Sequence, residues 1–312
     1  MSKSKILVFL CLIAVFWTLR LWYINQKLKG EAKVVFCDVG QGDAILISWY
    51  DWQLLIDGGP DNAVLRCLNE ELPPFDRTIE LVILSHPDSD HFVGLTGVLR
   101  LYRVKRVWLS NLAKNADDWF QFYDALMFAH ERFGTMIEFP TLEERWCVNE
   151  MLCGQIVAKS ELEMGENIFM TRKSKFEIVS LINKFVPISY DYNNGSIAVN
   201  LSIANNSFLF TGDAEGDEEL AMIRSGLLGD VDVLKVGHHG SKSSSSPEFL
   251  SMLKPETSVI SCGQNNSYGH PHEQTIVNLE AVGAEVLRTD KLGKIRWLKS
   301  SNADWHWEWE KD

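Results

Sequence analysis

Hydrophobic positions divide the 312-residue chain into regions with different periods. The first is a near-continuous apolar block, Ile6 to Ile24, interrupted by Thr18 and Arg20. Beyond Val34 the apolar residues come in short runs closed by Gly, Asp or Asn, a pattern of strands and turns. "VVFCDVG" and "DAILISWY" flank Gly40-Gln41-Gly42 and read as a tight hairpin, with "QLLIDGG" following after a two-residue turn. A helix-like stretch, "DNAVLRCLNEEL", leads into the buried strand "LVILSHP". Residues 101–190 are weakly patterned except for "DDWFQFYDALMFAHERFG", an amphipathic helix. "SIAVNLSIANNSFLFTGD" reads as a second hairpin, turning at Asn205-Asn206. Strands and helices then alternate through "VDVLKVG", "SPEFLSML", "TSVISCG", "EQTIVNLEAVG", "EVLRTD" and "KIRWLKS". A β-rich half followed by an αβ half predicts an α/β fold, two sheets face to face with helices outside.

The first block is long enough to span a bilayer if Arg20 reaches the interface. Trp17, Trp22 and Tyr23 suit an interfacial belt. "NQKLKGEAKVV" offers no small-x-small cleavage site, so an uncleaved anchor is favoured over a removed signal segment. A buried helix of the globular fold is the competing reading. The domains expected are 1–30, a membrane anchor or signal segment, and 31–312, the folded domain.

A net charge of −12 argues against a broad basic surface that coats nucleic acid and leaves room for a small basic patch around a metal site. The six cysteines do not read as a disulfide framework. Cys11 lies in the apolar block, Cys37 and Cys262 read as small core residues, and Cys147 and Cys153 are spaced closely enough to pair in an oxidising compartment.

Titratable density concentrates in "SHPDSDH", residues 85–91, at the end of the buried strand. Side chains leaving a strand end can converge beyond the sheet edge, where ligands bind in layered α/β folds. Imidazole and carboxylate together suit zinc, manganese or iron. His86, Asp88, Asp90 and His91 are too close in sequence to serve one ion, so two metals sharing the loop is the natural reading. The plainer reading, Asp90 as a helix cap, accounts for one of the four. "VGHHGS" places His238 and His239 after another strand, where neighbours diverge; one can ligate while the other faces substrate.

"H-x-D-x-D-H" resembles the metallo-β-lactamase-fold motif, with Asp88 in place of its second histidine. "FCDVGQGDAILI", "LLIDGG", "LFTGDAE", "LKVGHHGSKSS" and "NNSYGHPH" are similar, in order and wording, to the hydrolase domain of the competence protein ComEC. The bacterial phosphorylcholine esterase group shares the aspartate variant. The resemblance covers about residues 34–298 and implies a four-layer αββα metallo-β-lactamase sandwich behind an N-terminal hydrophobic helix. It implies two divalent metal ions, zinc or manganese. His86 and Asp88 would hold one, Asp90 and His91 the other, with Asp213 bridging and His239 ligating. Asp57 would orient the loop from behind, and His238 would donate to a phosphoryl oxygen or leaving group. Asp57, His270 and His272 form an additional candidate set; His130 and His306 read as structural or exposed. One departure stands out: Tyr192 occupies the place of a further histidine ligand, which Asp191, Asn193 or Asn194 would have to replace.

Two divalent cations set against Asp88, Asp90, Asp213 and one hydroxide leave the centre formally neutral. An anionic substrate then needs more positive charge, for which Lys242 and the helix N-terminus beginning near Pro247 are the candidates. The function implied is a metal-dependent phosphodiester hydrolase acting on nucleic acid, single-stranded DNA included, in DNA uptake or degradation. It would be bacterial, membrane-anchored by one segment and extracytoplasmic, with any channel supplied by a separate protein. The alternatives are a small-molecule phosphodiesterase or phosphorylcholine-type esterase, with Trp49, Trp52 and Trp119 caging a quaternary ammonium, and a non-catalytic metal-binding module.

Overall fold

A computed structural model describes residues 3–28, 32–110, 112, 114, 116–140, 145–149, 152–158, 193–203, 206–299 and 305–311. The described elements run α1 (Lys3–Leu28), β1 (Ala32–Phe36), β2 (Ile45–Trp49), β3 (Trp52–Ile56), α2 (Ala63–Glu71), β4 (Thr78–Leu84), α3 (Ser89–Leu101), β5 (Arg103–Leu109), α4 (Asp117–Phe133) and β6 (Met136–Glu138). They continue with β7 (Arg145–Asn149), β8 (Leu152–Ala158), β9 (Ala198–Ile203), β10 (Asn206–Phe210), α5 (Gly216–Ser225), β11 (Val233–Lys235), α6 (Pro247–Leu253) and β12 (Thr257–Ile260). The last are α7 (Glu273–Ala281), β13 (Glu285–Arg288), α8 (Thr289–Leu292), β14 (Ile295–Lys299) and β15 (Trp305–Trp309).

The strands form an eight-stranded sheet, β15-β14-β1-β2-β3-β4-β5-β6, and a seven-stranded sheet, β13-β12-β11-β10-β9-β8-β7. Alternation along β1 shows how the layers arise. Val34 and Phe36 face the second sheet, in a core shared with Ile45, Ile83, Leu201, Phe208 and Val233. Val35 faces the other way and packs with Leu46, Val82 and the α3 and α4 residues Phe92, Leu95 and Phe122. A third cluster joins Leu209 and Leu234 to Phe249, Leu250 and Leu279 of α6 and α7. Both faces of each sheet are covered, so the central strands read as unbroken apolar runs. The expected αββα order is the observed one.

Several local expectations need correction. β1 and β2 pair with Phe36 opposite Ile45, so residues 37–44 form a longer loop rather than a tight hairpin. Gly42 lets that loop press onto α3: a Cβ there would stand 2.2 Å from the Asp90 carbonyl oxygen. Cys37 is not a free core thiol but forms a disulfide with Cys67 of α2. Cys262 is buried and free, as expected. Cys147 and Cys153 are register partners across β7 and β8. Asn206 begins β10, paired with Ile203; the connection between them, Asn205 included, lies outside the described residues.

α1 carries a 19-residue window, Ser4–Trp22, with mean hydropathy 2.0 and none of it buried. Such a helix is about 28 Å long at about 1.5 Å per residue, against about 30 Å of hydrocarbon core. The helix is therefore no part of the globular core, and it could serve as a membrane anchor.

Candidate metal centre

The chemistry-bearing residues come from three strand ends on one edge of the sandwich. β4 delivers Ser85 and His86, and α3 begins at once, with Asp88 at its N-cap and Asp90 and His91 in its first turn. The Asp88 side chain makes no capping hydrogen bond. Asp90 is not the cap either, because it lies inside the helix. β10 delivers Asp213 through Thr211 and Gly212. β11 delivers His238 and His239 in a 3-10 turn in which both adopt left-handed backbone, φ 47° and 54°. That conformation costs a non-glycine residue about 1–3 kcal/mol, and it sends the two rings to different places.

Asp213 is the hub. Its Oδ1 lies 3.3 Å from His91 Nε2. Its Oδ2 lies 3.4 Å from His239 Nε2, 3.8 Å from His86 Nε2 and 3.9 Å from His238 Nε2. His239 Nε2 also lies 3.3 Å from Asp90 Oδ2, and His86 Nε2 lies 3.5 Å from Asp88 Oδ2. Each buried ring is turned by its other nitrogen. His86 Nδ1 meets Ser85 Oγ at 3.0 Å, His91 Nδ1 donates to Asp57 Oδ2 at 2.8 Å, and His239 Nδ1 donates to the Ser261 carbonyl at 2.9 Å. Nε2 of His86, His91 and His239 and Oδ1 of Asp213 are buried without a hydrogen-bond partner. Unpaired buried polar atoms are costly, and their convergence fits a divalent cation held by nitrogen and oxygen. Asp90, His91 and His239 bring one ligand atom each within 4.8 Å of one another, as do His86, His91 and Asp213.

A model of the metallo-beta-lactamase superfamily matches residues 38–264. The chain belongs to that superfamily. It is 28% identical over 297 residues to ComE operon protein 3 of Bacillus subtilis, covering 89% of this chain and 34% of that one. It is 28% identical over 271 residues to competence protein ComA of Neisseria gonorrhoeae, covering 86% of this chain and 32% of that one. The chain thus spans about a third of the length of these curated relatives. The metallo-beta-lactamase fold protein YhfI of Bacillus subtilis matches in structure with TM-score 0.53 at 13% identity, over 86% of this chain and 100% of that one. Superfamily membership implies a divalent metal, and the unpaired donors just described fit one.

Proton affinities at the superfamily centre follow the same geometry. Burial lowers the His91 pKa, but the Asp213 and Asp57 carboxylates overcome it and hold His91 well above the usual histidine range. His239 is likewise carried to about 10 against burial, by Asp213 and Asp90. His86 is pushed down to about 4 by burial and by the neighbouring His91. Burial raises Asp213, yet His239 and His91 hold it well below the carboxylate range.

Asp57 has both oxygens engaged: Oδ1 accepts from Ser85 N–H at 2.8 Å and Oδ2 from Ser85 Oγ at 2.7 Å as well as from His91. These bonds tie Asp57 to the loop that carries Ser85, His86 and His91. His270 sits over the centre, its ring 5.5 Å from that of His238 and 6.4 Å from that of His239. His272 lies one ring farther out, 5.3 Å from His270. Tyr192 and Asp191 lie outside the described residues, as does the Asn194 side chain. The Asn193 carbonyl accepts from Ser196 Oγ, which in turn accepts from Asp213 N–H at 3.1 Å.

The amides expected to join Lys242 in holding an anionic substrate are engaged within the fold. Lys242 is exposed and forms no ion pair with a described residue. The N–H groups of Ser245 and Ser246 donate to the Glu219 carboxylate, and Phe249 N–H donates to Ser246 Oγ. The Ser245, Ser246 and Phe249 amides at the start of α6 are therefore not open to phosphate. Trp49 and Trp119 are buried in the hydrophobic cores and Trp52 packs against one, so they form no open cage.

Two functional candidates escaped sequence reasoning. Lys114 forms an ion pair with Asp88 Oδ1, although it comes from the weakly patterned stretch after β5. Glu215 accepts from His238 Nδ1 at 2.8 Å and from Ser243 Oγ at 2.7 Å. Its proximity in sequence to Asp213 was the available signal.

Proposed function

We propose that this chain is a metal-dependent phosphodiesterase acting on nucleic acid, single-stranded DNA in particular, in the uptake or degradation of DNA. The observation that carries this reading is the convergence of unpaired imidazole nitrogens on the buried Asp213 carboxylate. His86, Asp88 and Asp213 would hold one divalent ion; Asp90, His91, Asp213 and His239 would hold a second. Zinc or manganese there would polarise a phosphoryl oxygen and supply an ionised water at neutral pH. Asp90 and Asp213 anchor the attacking side. Glu215 accepts from Nδ1–H of His238, so that the doubly protonated ring would pass its Nε2 proton to the leaving oxygen and be left as the Nδ1–H tautomer. Lys114 at the Asp88 side, with Lys242 farther out, supplies the positive charge that a phosphodiester anion needs at a formally neutral centre.

The named competence relatives support the DNA-uptake setting. A channel-forming protein is the partner this setting calls for. α1 would tether the domain to a membrane, and the Cys37–Cys67 disulfide favours the oxidising, extracytoplasmic side. The test is hydrolysis by the full chain in detergent, stripped of metal and then given manganese or zinc. Metal-dependent cleavage of single-stranded DNA and of bis-p-nitrophenyl phosphate is expected. Cleavage of choline phosphoesters alone would favour the small-molecule esterase, and metal uptake with no turnover on any ester would leave a binding module.

A further inference from the structure

Beneath the centre lies a charged pair that the proposed chemistry does not use. Lys235 is fully buried at the end of β11, the strand that delivers His238 and His239. Its Nζ lies 2.6 Å from Asp43 Oδ2 and donates to the Val236 carbonyl at 2.9 Å. Asp43 is equally buried and belongs to the other sheet, in the loop before β2. The pair therefore ties the two sheets together directly behind the ligands. A buried ion pair is a poor source of stability, since apolar residues of similar volume serve as well or better. Its contacts point to another role.

Asp43 reaches two of the ligands assigned to the second ion, Asp90 and His239. Its main-chain N–H donates to the Asp90 carbonyl at 3.2 Å, and its carbonyl accepts from Gly59 N–H at 2.7 Å. Its Oδ1 has no hydrogen-bond partner and stands 3.7 Å from His239 Nδ1. That nitrogen instead donates to Ser261, and this choice aims Nε2 at Asp90 and Asp213. A carboxylate left without Lys235 would compete for the Nδ1 proton and draw the ring out of line.

We propose that the Asp43–Lys235 pair is the positioning element of the Asp90–His239 half of the centre: it neutralises Asp43 so that His239 stays on Ser261, and it holds the Asp43 main chain against Asp90. This rests on the metal reading above. In this proposal both residues orient ligands, although Asp43 also offers an oxygen within 4.8 Å of donor atoms of Asp213 and His239.

The experiment titrates cobalt(II) into the full-length chain in detergent, comparing wild type with Lys235→Met and with Asp43→Asn/Lys235→Met. The double variant leaves no lone buried charge and is expected to fold, as judged by circular dichroism. Its cobalt affinity should fall about 10–100-fold, as for loss of residues that orient metal ligands, and the visible ligand-field bands should change. The single variant should lose at least as much. A folded double variant with wild-type cobalt affinity and spectrum would overturn the proposal and leave the metal reading standing. Wild-type protein that takes up no cobalt would overturn both.

Discussion

Asp57 accepts a 2.8 Å hydrogen bond from Nδ1 of His91 and so decides which nitrogen of that ring faces Asp213. The same carboxylate takes the Ser85 N–H and hydroxyl, so one buried group fixes both the loop and the ring. Its own backbone is left-handed, φ 59°, which Asn tolerates well. Asp57→Asn should therefore fold yet lower metal affinity about 10–100-fold, measured by metal analysis after dialysis against a chelator of known strength.

Asp213→Ala should abolish turnover and release metal, since it removes the carboxylate that His86, His91 and His239 share. His130→Ala should do neither, because His130 Nδ1 bonds only the Thr135 carbonyl at the end of α4. Paired kinetics and metal content on the two variants check this; equal losses would mean that the site lies elsewhere.

Lys114 and Lys242 can be separated by substrate charge. Lys114→Met should cost about 1–3 kcal/mol in kcat/KM on an anionic phosphodiester, as for one charge-assisted hydrogen bond. The loss should shrink on a neutral ester. Lys242→Ala should act in the same direction but more weakly, because Lys242 is exposed and its charge is screened.

Glu71 should give the domain an acid-sensitive clasp. Burial raises its pKa, but Lys33, Lys294 and Arg296 prevail and hold it below its ordinary 4.5. A lowered folded pKa means that the stabilisation is complete above the unfolded value and disappears as pH falls through the folded one. Glu71→Gln should cost about 1–3 kcal/mol at pH 7 and progressively less below pH 4.5, read from urea melts across that range.

Removing residues 1–30 should turn a membrane-bound protein soluble and leave activity intact, because no centre residue precedes β1. Reducing the Cys37–Cys67 bond in that soluble form should cost about 3–4 kcal/mol on the chain-entropy estimate, for a sequence separation of 30. Chemical melts with and without reductant measure it. Unfolding on truncation would instead make the helix part of the core.

The local chemistry was legible from the chain alone. Strands buried on both faces must be apolar throughout, and titratable residues at their ends must serve some purpose, so "LVILSHPDSDH" and "VGHHGS" announced themselves. The long apolar helix α1 was equally plain, because length and composition alone mark it. What only the tertiary structure decided was contact between segments far apart in sequence. Cys37 read as core packing until α2 brought Cys67 beside it. Lys114 gave no periodic signal, yet the end of β5 lies next to the end of β4 and sets it on Asp88. Glu219 filled the amides that looked open to phosphate. Asp43 and Lys235 are 192 residues apart, and nothing local to either predicts the other. Local pattern encodes which face of a strand is buried; which charges meet behind the centre depends on how the two sheets close, and that is a property of the packed sandwich.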